Sequence, residues 1–205
     1  MARWIALALM LSLVLPTATS AGPAGTVHGD PQAIAELRAA QEKFAAAKSW
    51  RSRRTMSAPG ASLPATATEF VAPDRTRMSW PDGRGGTAGT VIIGRDVWNF
   101  GSGACAKGGS APARVQDDRE SVRGRSDVTM EITKGGRETV DGTPTQTYTR
   151  ASTTSEGQVR EKFFVAIDNG YPRRIEMTVQ QAGVTVTITI DYSDYDTPIT
   201  INPPC

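Results

Sequence analysis

Val159–Pro204 reads VREKFFVAIDNGYPRRIEMTVQQAGVTVTITIDYSDYDTPITINPP, and it decides the fold. In Val184–Tyr192 the apolar residues Val184, Val186, Ile188, Ile190 and Tyr192 alternate with Thr185, Thr187, Thr189 and Asp191. That period of two marks a strand with one buried and one wet face. Ile175, Met177 and Val179 repeat the pattern one strand earlier, against Arg174, Glu176, Thr178 and Gln180. Asp168-Asn169-Gly170 and Gln181-Ala182-Gly183 separate the runs with residues that tolerate turn conformations. The stretch predicts an antiparallel meander, one face of which packs on something or holds something.

Working back toward the N-terminus, short apolar runs and turn signals continue at close spacing. Trp50–Ala58, Ala67–Ala72, Arg75–Trp80, Thr90–Ile93 and Asp96–Phe100 read as strands. Pro59–Pro64 reads as a loop and Pro81–Gly86 as a turn. Gly101–Gly124 is rich in Gly, Ser, Ala and charge and has no period, which predicts a mobile insertion loop. Beyond it, Val128–Thr133 resumes alternation, Gly135–Gly142 leads into a strand over Pro144–Arg150, and Thr153–Gly157 is a hairpin turn. One helix stands out over Pro31–Ser49. Asp30 is a good N-cap, Pro31 suits the first helical position, and Ile34, Leu37 and Phe44 lie along one side. A single stripe cannot make a core alone, so it must lie on the sheet.

Residues 1–21 read as a secretory signal peptide: Arg3, an apolar Ile5–Leu15, then small residues through Ala21. The apolar run is short for a membrane span. No Cys lies near the cleavage site, so there is no lipobox, and the expected location is periplasmic or secreted. Residues 22–205 form one expected domain. Hydrophobic residues make up 39% of the chain and aromatics 6%, so any core is modest for the length. The formal charge of +2 falls to +1 once Arg3 leaves with the leader, which gives no case for binding nucleic acid.

Catalytic chemistry finds little material. The one histidine, His28, lies in the stretch before the helix, expected to be flexible, which leaves no nucleophile–base–orienter set, and no catalytic residue is assigned. One His and two Cys without close spacing do not make a zinc site. Asp191, Asp194 and Asp196 lack the spacing of a calcium loop, and the Gly-Gly pairs lack a following GK[ST]. No metal or cofactor is expected. Cys105 and Cys205 are an even count in an exported chain, which favours an internal disulfide over two free thiols or an intermolecular bridge.

The order of features also carries a resemblance. After the helix come SWRSRRTM, EFVAPDRTRMSW and TVIIGRDVWNF, and after the loop TVDGTPTQTYTR, VREKFFVAIDNGYPRRIEM and VTVTITIDYSDYDTPITINPP. Pro73-Asp74-Arg75, Val140-Asp141-Gly142, Ile167-Asp168 to Tyr171-Pro172-Arg173, and Asp191-Tyr192 to Tyr195-Asp196 are its most telling pieces. From about Ala33 to Pro204 the chain resembles the LolA/LolB-like superfamily of exported lipid and lipoprotein carriers, which includes proteins of the LppX and LprG type. The resemblance implies a mostly β, α+β fold: a strongly curved antiparallel sheet, an unclosed half-barrel, with helices in its concave mouth over an apolar cavity. It implies no enzyme activity. Here Gly101–Gly124 offers no convincing further lid helix.

Such a sheet has more apolar face than one helix covers, and uncovered apolar surface marks a site for a ligand or partner. The candidate lining residues are Ile34, Leu37 and Phe44 on the helix, with Met56, Phe70, Met78, Trp80, Trp98, Met130, Tyr148, Phe163, Met177 and Ile188 on strands. The expected cargo is a lipid or lipoprotein acyl chain, carried by a monomer. The alternative is a non-enzymatic interaction or envelope-sensing module that docks on a membrane complex or envelope protein.

Overall fold

The computed structural model describes residues 26–110, 129–154, 157–181 and 183–205. The chain enters through β1 (Val27–Gly29) and α1 (Pro31–Ala46). Six strands follow: β2 (Ser49–Ala58), β3 (Ala61–Val71), β4 (Arg75–Pro81), β5 (Thr87–Ile93), β6 (Asp96–Gly101) and β7 (Ala104–Ser110). Five more complete the sheet: β8 (Met130–Val140), β9 (Thr143–Thr154), β10 (Gly157–Ala166), β11 (Pro172–Gln181) and β12 (Val184–Ser193).

All twelve strands form one sheet in the order β1-β8-β9-β10-β11-β12-β2-β3-β4-β5-β6-β7. It consists of two antiparallel meanders, β2–β7 and β8–β12, set side by side. The seam is the β12–β2 pair, with Ile188 opposite Met56 and Tyr192 opposite Ser52. β1 adds to β8 in parallel. The two ends of the order, β1 and β7, do not pair, so the barrel is unclosed.

The sheet curves around α1, and the core shows why it must. Leu37 and Phe44 share one cluster with Phe70, Trp50, Tyr192, Ile175, Phe163, Tyr148 and Ile132, which sit on seven adjacent strands. Seven flat strands would span roughly 30 Å, whereas a helix with its side chains is about 10 Å across. Only a curled sheet brings all seven to one helix. Asp30 caps α1 as expected, its Oδ1 accepting from Gln32 N at 2.9 Å. The buried stripe is Ala33, Leu37, Ala40 and Phe44, spaced 4, 3 and 4, while Ile34 is half-buried at its edge. The helix stops at Ala46 rather than Ser49. Ala47 is extended, Lys48 N donates to Asp196 Oδ1 at 2.6 Å, and Ser49 already pairs with Val71.

Four other expectations change. Pro59–Pro64 is mostly strand: the turn is confined to Pro59-Gly60, where Gly60 has φ +75°, and β3 starts at Ala61. Pro64 falls at the register shift opposite Arg54–Met56, where no ladder N–H is required. The stretch read as a loop from Gly101 contains β7, which pairs Cys105 with Phe100 of β6; its remainder, 111–124, lies outside the described residues. β8 runs through Gly135-Gly136 to Val140 by way of a register shift between Lys134 and Arg137, and Gln146 Nε2 and Thr147 Oγ1 satisfy the two glycine carbonyls at 2.6 and 2.8 Å. His28 is in β1, opposite Glu131.

A second, smaller cluster lies on the other face of the β2–β7 meander. Phe70, Thr76 and Ile92 are cross-strand partners on the helix side. Val91, next to Ile92, therefore points away, and it joins Trp98, Ile201 and the flanking Val71, Ile93, Phe100 and Ile199. The C-terminal segment covers this patch as a strap. Arg75 Nη1 donates to Ile201 O at 3.0 Å, and Cys205 is bonded to Cys105 on β7 with Cα atoms 6.1 Å apart.

Candidate ligand face

Cross-strand register arranges the concave face in rows. Ile190, Ile175, Phe163 and Tyr148 form one row beneath α1, and all are buried. Beside it the aromatic cluster closes over Phe44. Its ring centroid lies 5.6 Å from Trp50, 5.0 Å from Tyr192 and 6.1 Å from Tyr195, and Trp50 stacks on Phe70 at 5.5 Å. The next row runs Met56–Ile188–Met177–Glu161–Arg150–Ile132. The one beyond it runs Val186–Val179–Val159–Ser152–Met130. In these two rows Met56, Met177, Ile188 and the three valines with Met130 are only half-buried, and of them Ile188 alone packs against the helix cluster. An aliphatic and thioether strip thus continues past the helix. Exposed Leu63, opposite Met56, and exposed Val184 extend it toward the hairpin tips.

Within that strip sits a feature the sequence reading missed. Arg150 and Glu161 are 5% and 6% exposed and face each other across β9 and β10. Arg150 Nη2 donates to Glu161 Oε1 at 2.8 Å and its Nε donates to Oε2, a bidentate pair, while the guanidinium lies 5.1 Å over the Phe163 ring. Removing one partner of such a pair strands a buried charge. The pair also makes this part of the wall polar at depth.

The predicted lining residues therefore separate into distinct places. Leu37, Phe44, Phe70, Tyr148 and Phe163 are core beneath or on α1, and Ile34 and Ile188 pack at its edge. Met56, Met130 and Met177 lie on the strip. Met78 and Trp80 are on β4, two strands from Met56, and Met78 sits in an otherwise polar row with Ser52, Thr68, Thr90 and Asn99. Trp98 is on the opposite face, under the C-terminal strap. Arg51 of β2 is held by Glu69 at 2.9 Å and Asp194 at 3.1 Å.

Two clasps fix the helix. Near its C-terminus Tyr171 stacks on Tyr195 at 4.1 Å and its hydroxyl donates to Asp196 Oδ2 at 2.6 Å. That bond and burial push the Tyr171 phenol up to about 12. Lys43 Nζ lies 4.7 Å from the centroid of the same ring. The motif pieces Tyr171-Pro172 and Tyr195-Asp196 thereby tie α1 to the chain's C-terminal segment. Two turns nearer the helix N-terminus Glu36 accepts from Lys134 Nζ at 2.7 Å, from Tyr148 Oη at 2.7 Å and from Gln32 Nε2 at 2.8 Å. Lys134 first, then Tyr148 and Gln32, hold its carboxyl down at about 2 against an ordinary 4.5. Burial, and secondarily Glu36, push the Tyr148 phenol up.

The Glu36 clasp predicts a pH dependence. Its folded pKa lies below the unfolded one, so its contribution is fully present above about 4.5 and is lost as pH falls toward about 2. Glu36→Gln should lower the unfolding midpoint at pH 7, and the difference from the parent should shrink to nothing by about pH 2. A midpoint difference that stays constant from pH 7 to 2 would show that Glu36 acts through packing instead.

The arrangement is that of an unclosed half-barrel with a helix in its concave face, and solved structures share this fold. LppX, a lipoprotein of Mycobacterium tuberculosis, aligns at a TM-score of 0.63 over 84% of this chain and 100% of that one, with 16% identity. LprF of Mycobacterium bovis aligns at 0.62 over 89% and 99%, with 14% identity. A LolA-superfamily protein of Nitrosomonas europaea aligns over 82% and 94% at 15% identity, with a TM-score of 0.38 that adds nothing to the argument. At such identities the likeness is one of fold. No protein-family model and no curated protein matches the sequence. Among the described residues no helix is long and apolar enough to cross a membrane, and no cluster of His, Cys, Asp or Glu could hold a metal ion.

Proposed function

We propose that the protein is an exported, non-enzymatic carrier of acyl-chain ligands, made as one domain behind the signal peptide of residues 1–21. The observation that supports this reading is the half-buried strip that outruns the helix. Met56, Ile188 and Met177 with Val186, Val179, Val159 and Met130 offer two apolar rows on a curved wall. Thioethers adapt to chains of varied shape, and a concave apolar wall is where acyl chains lie. The tightly filled aromatic centre beneath α1 supports an acyl chain seated beside the helix rather than under Phe44.

Val186→Asp and Ile188→Asp test it. Each places a carboxylate on the strip, where no cation lies opposite: Val186 pairs with Val179, and Ile188 with Met56 and Met177. An unpaired charge against an acyl chain is strongly disfavoured. Uptake of a fluorescent fatty acid should fall tenfold or more in both, with Val186→Asp folded as the parent, since that residue stands outside the helix cluster. Unchanged uptake in a folded Val186→Asp protein would turn the reading toward a docking module.

A further inference from the structure

Beyond the acyl strip, the flank of α1 that carries Glu36 and Lys43 leaves an open notch of about 480 Å3 against β8, β9 and the β10–β11 turn. Its floor is apolar, with Ala39 and Ala40 from the helix and Val165 from β10, and Ile167, 47% exposed, stands on its wall. The charges around it are unbalanced. Glu36 is neutralised by Lys134. Lys43 Nζ donates to a neutral acceptor, the Asn169 carbonyl, and forms no ion pair with a carboxylate lining the notch among the described residues. The exposed Arg137 side chain, just after the Gly135-Gly136 bulge, makes no hydrogen bond or ion pair among the described residues. Asp168, on the turn, also lines the notch and makes no ion pair among the described residues. Among the described residues lining the notch, the cations Lys43, Lys134 and Arg137 face the carboxylates Glu36 and Asp168, an excess of one positive charge.

We propose that this notch binds the head of a phospholipid-type amphiphile. Arg137 and Lys43 take the phosphate, Asp168 accepts from a hydroxyl or ammonium of the head, and the first carbons of the tail lie on Ala39, Ala40 and Ile167. A guanidinium matches phosphate oxygens in pairs, and Lys43 adds a point charge beside it. The exposed Ile167 and the alanine floor favour a lipid head over free phosphate, which has no use for apolar surface. The site lies on the other flank of α1 from the acyl strip and works independently of it.

Calorimetric titration separates these chemistries. The probes are a soluble short-chain phosphatidylglycerol below its critical micelle concentration, inorganic phosphate, and an uncharged alkyl glucoside of matched chain length. The phosphatidylglycerol should bind the parent protein and bind Arg137→Gln about tenfold or more weakly, the loss expected for a charge-assisted hydrogen bond. Arg137→Lys should recover part of that loss. Because Arg137 is exposed, both variants should unfold with the parent's midpoint. Val186→Asp should leave this binding unchanged, so failure of the notch and failure of the strip are read in different variants. Equal affinity in parent and Arg137→Gln overturns the proposal. So does inorganic phosphate held as tightly as the lipid, or an alkyl glucoside bound equally well, or a loss seen only in Val186→Asp.

Discussion

Phe44→Ala should lower the unfolding free energy by about 3–5 kcal/mol, the range for deleting a buried aromatic ring. Phe44 is 0% exposed and its ring is shared by Trp50, Tyr192 and Tyr195, so the vacated space is lined by rigid aromatics that collapse poorly. Edge-to-face contacts with Tyr192 and Tyr195 add to the burial. The same substitution should change acyl-chain uptake little, because the strip lies beyond the ring's neighbours. Urea unfolding and fatty-acid titration on one preparation measure both. A cost below about 1 kcal/mol, far under the core range, together with a large change in uptake would place Phe44 on a ligand cavity and would contradict the filled centre.

Removing the disulfide should have the next largest effect. Cys105 and Cys205 are 100 residues apart, and closing a loop of that length is worth about 4–5 kcal/mol in the chain-entropy account, with observed values often lower. The bond also holds the C-terminal strap, in which Ile201 is 1% exposed, over Val91 and Trp98. The Cys105→Ser, Cys205→Ser protein should therefore unfold at a clearly lower temperature. Its tryptophan emission should shift to the red as Trp98 gains water. A double variant with the parent's midpoint and emission would mean that Ile201 and the Arg75–Ile201 hydrogen bond suffice to seat the strap.

The β10–β12 meander was legible because its alternation is regular and its turns are marked, and α1 because Asp30-Pro31 announces its start. What escaped did so for physical reasons. Pro64 signals a loop in any local reading, yet a bulge in the pairing to β2 absorbs it. β7 is glycine-rich and aperiodic, and its strand state comes from pairing with β6. β1 is three residues long and exists by pairing with β8.

The site was legible in part. Alternation put Met177 and Ile188 on the apolar faces of successive strands, and the β12–β2 seam, which no local signal announces, brings Met56 beside them. It could not say which side of β6 faces the helix, because the strap that buries Trp98 comes from the far end of the chain. Arg150 and Glu161 were hidden by their type: charged residues on strands read as solvated. Their spacing was the available signal, since Arg150 lies two residues after Tyr148 and Glu161 two before Phe163, both on the buried face. The notch needed tertiary structure, since Lys43, Arg137 and Asp168 come from a helix, a strand and a turn distant in sequence.

The central claim is that the strip beside α1 holds acyl chains. Native mass spectrometry of the delipidated protein, incubated with a total lipid extract, tests it most directly. The account predicts a stoichiometric adduct of acyl-lipid mass on the parent and its loss in Val186→Asp. A parent protein that stays at its own mass in the presence of excess lipid would contradict the account.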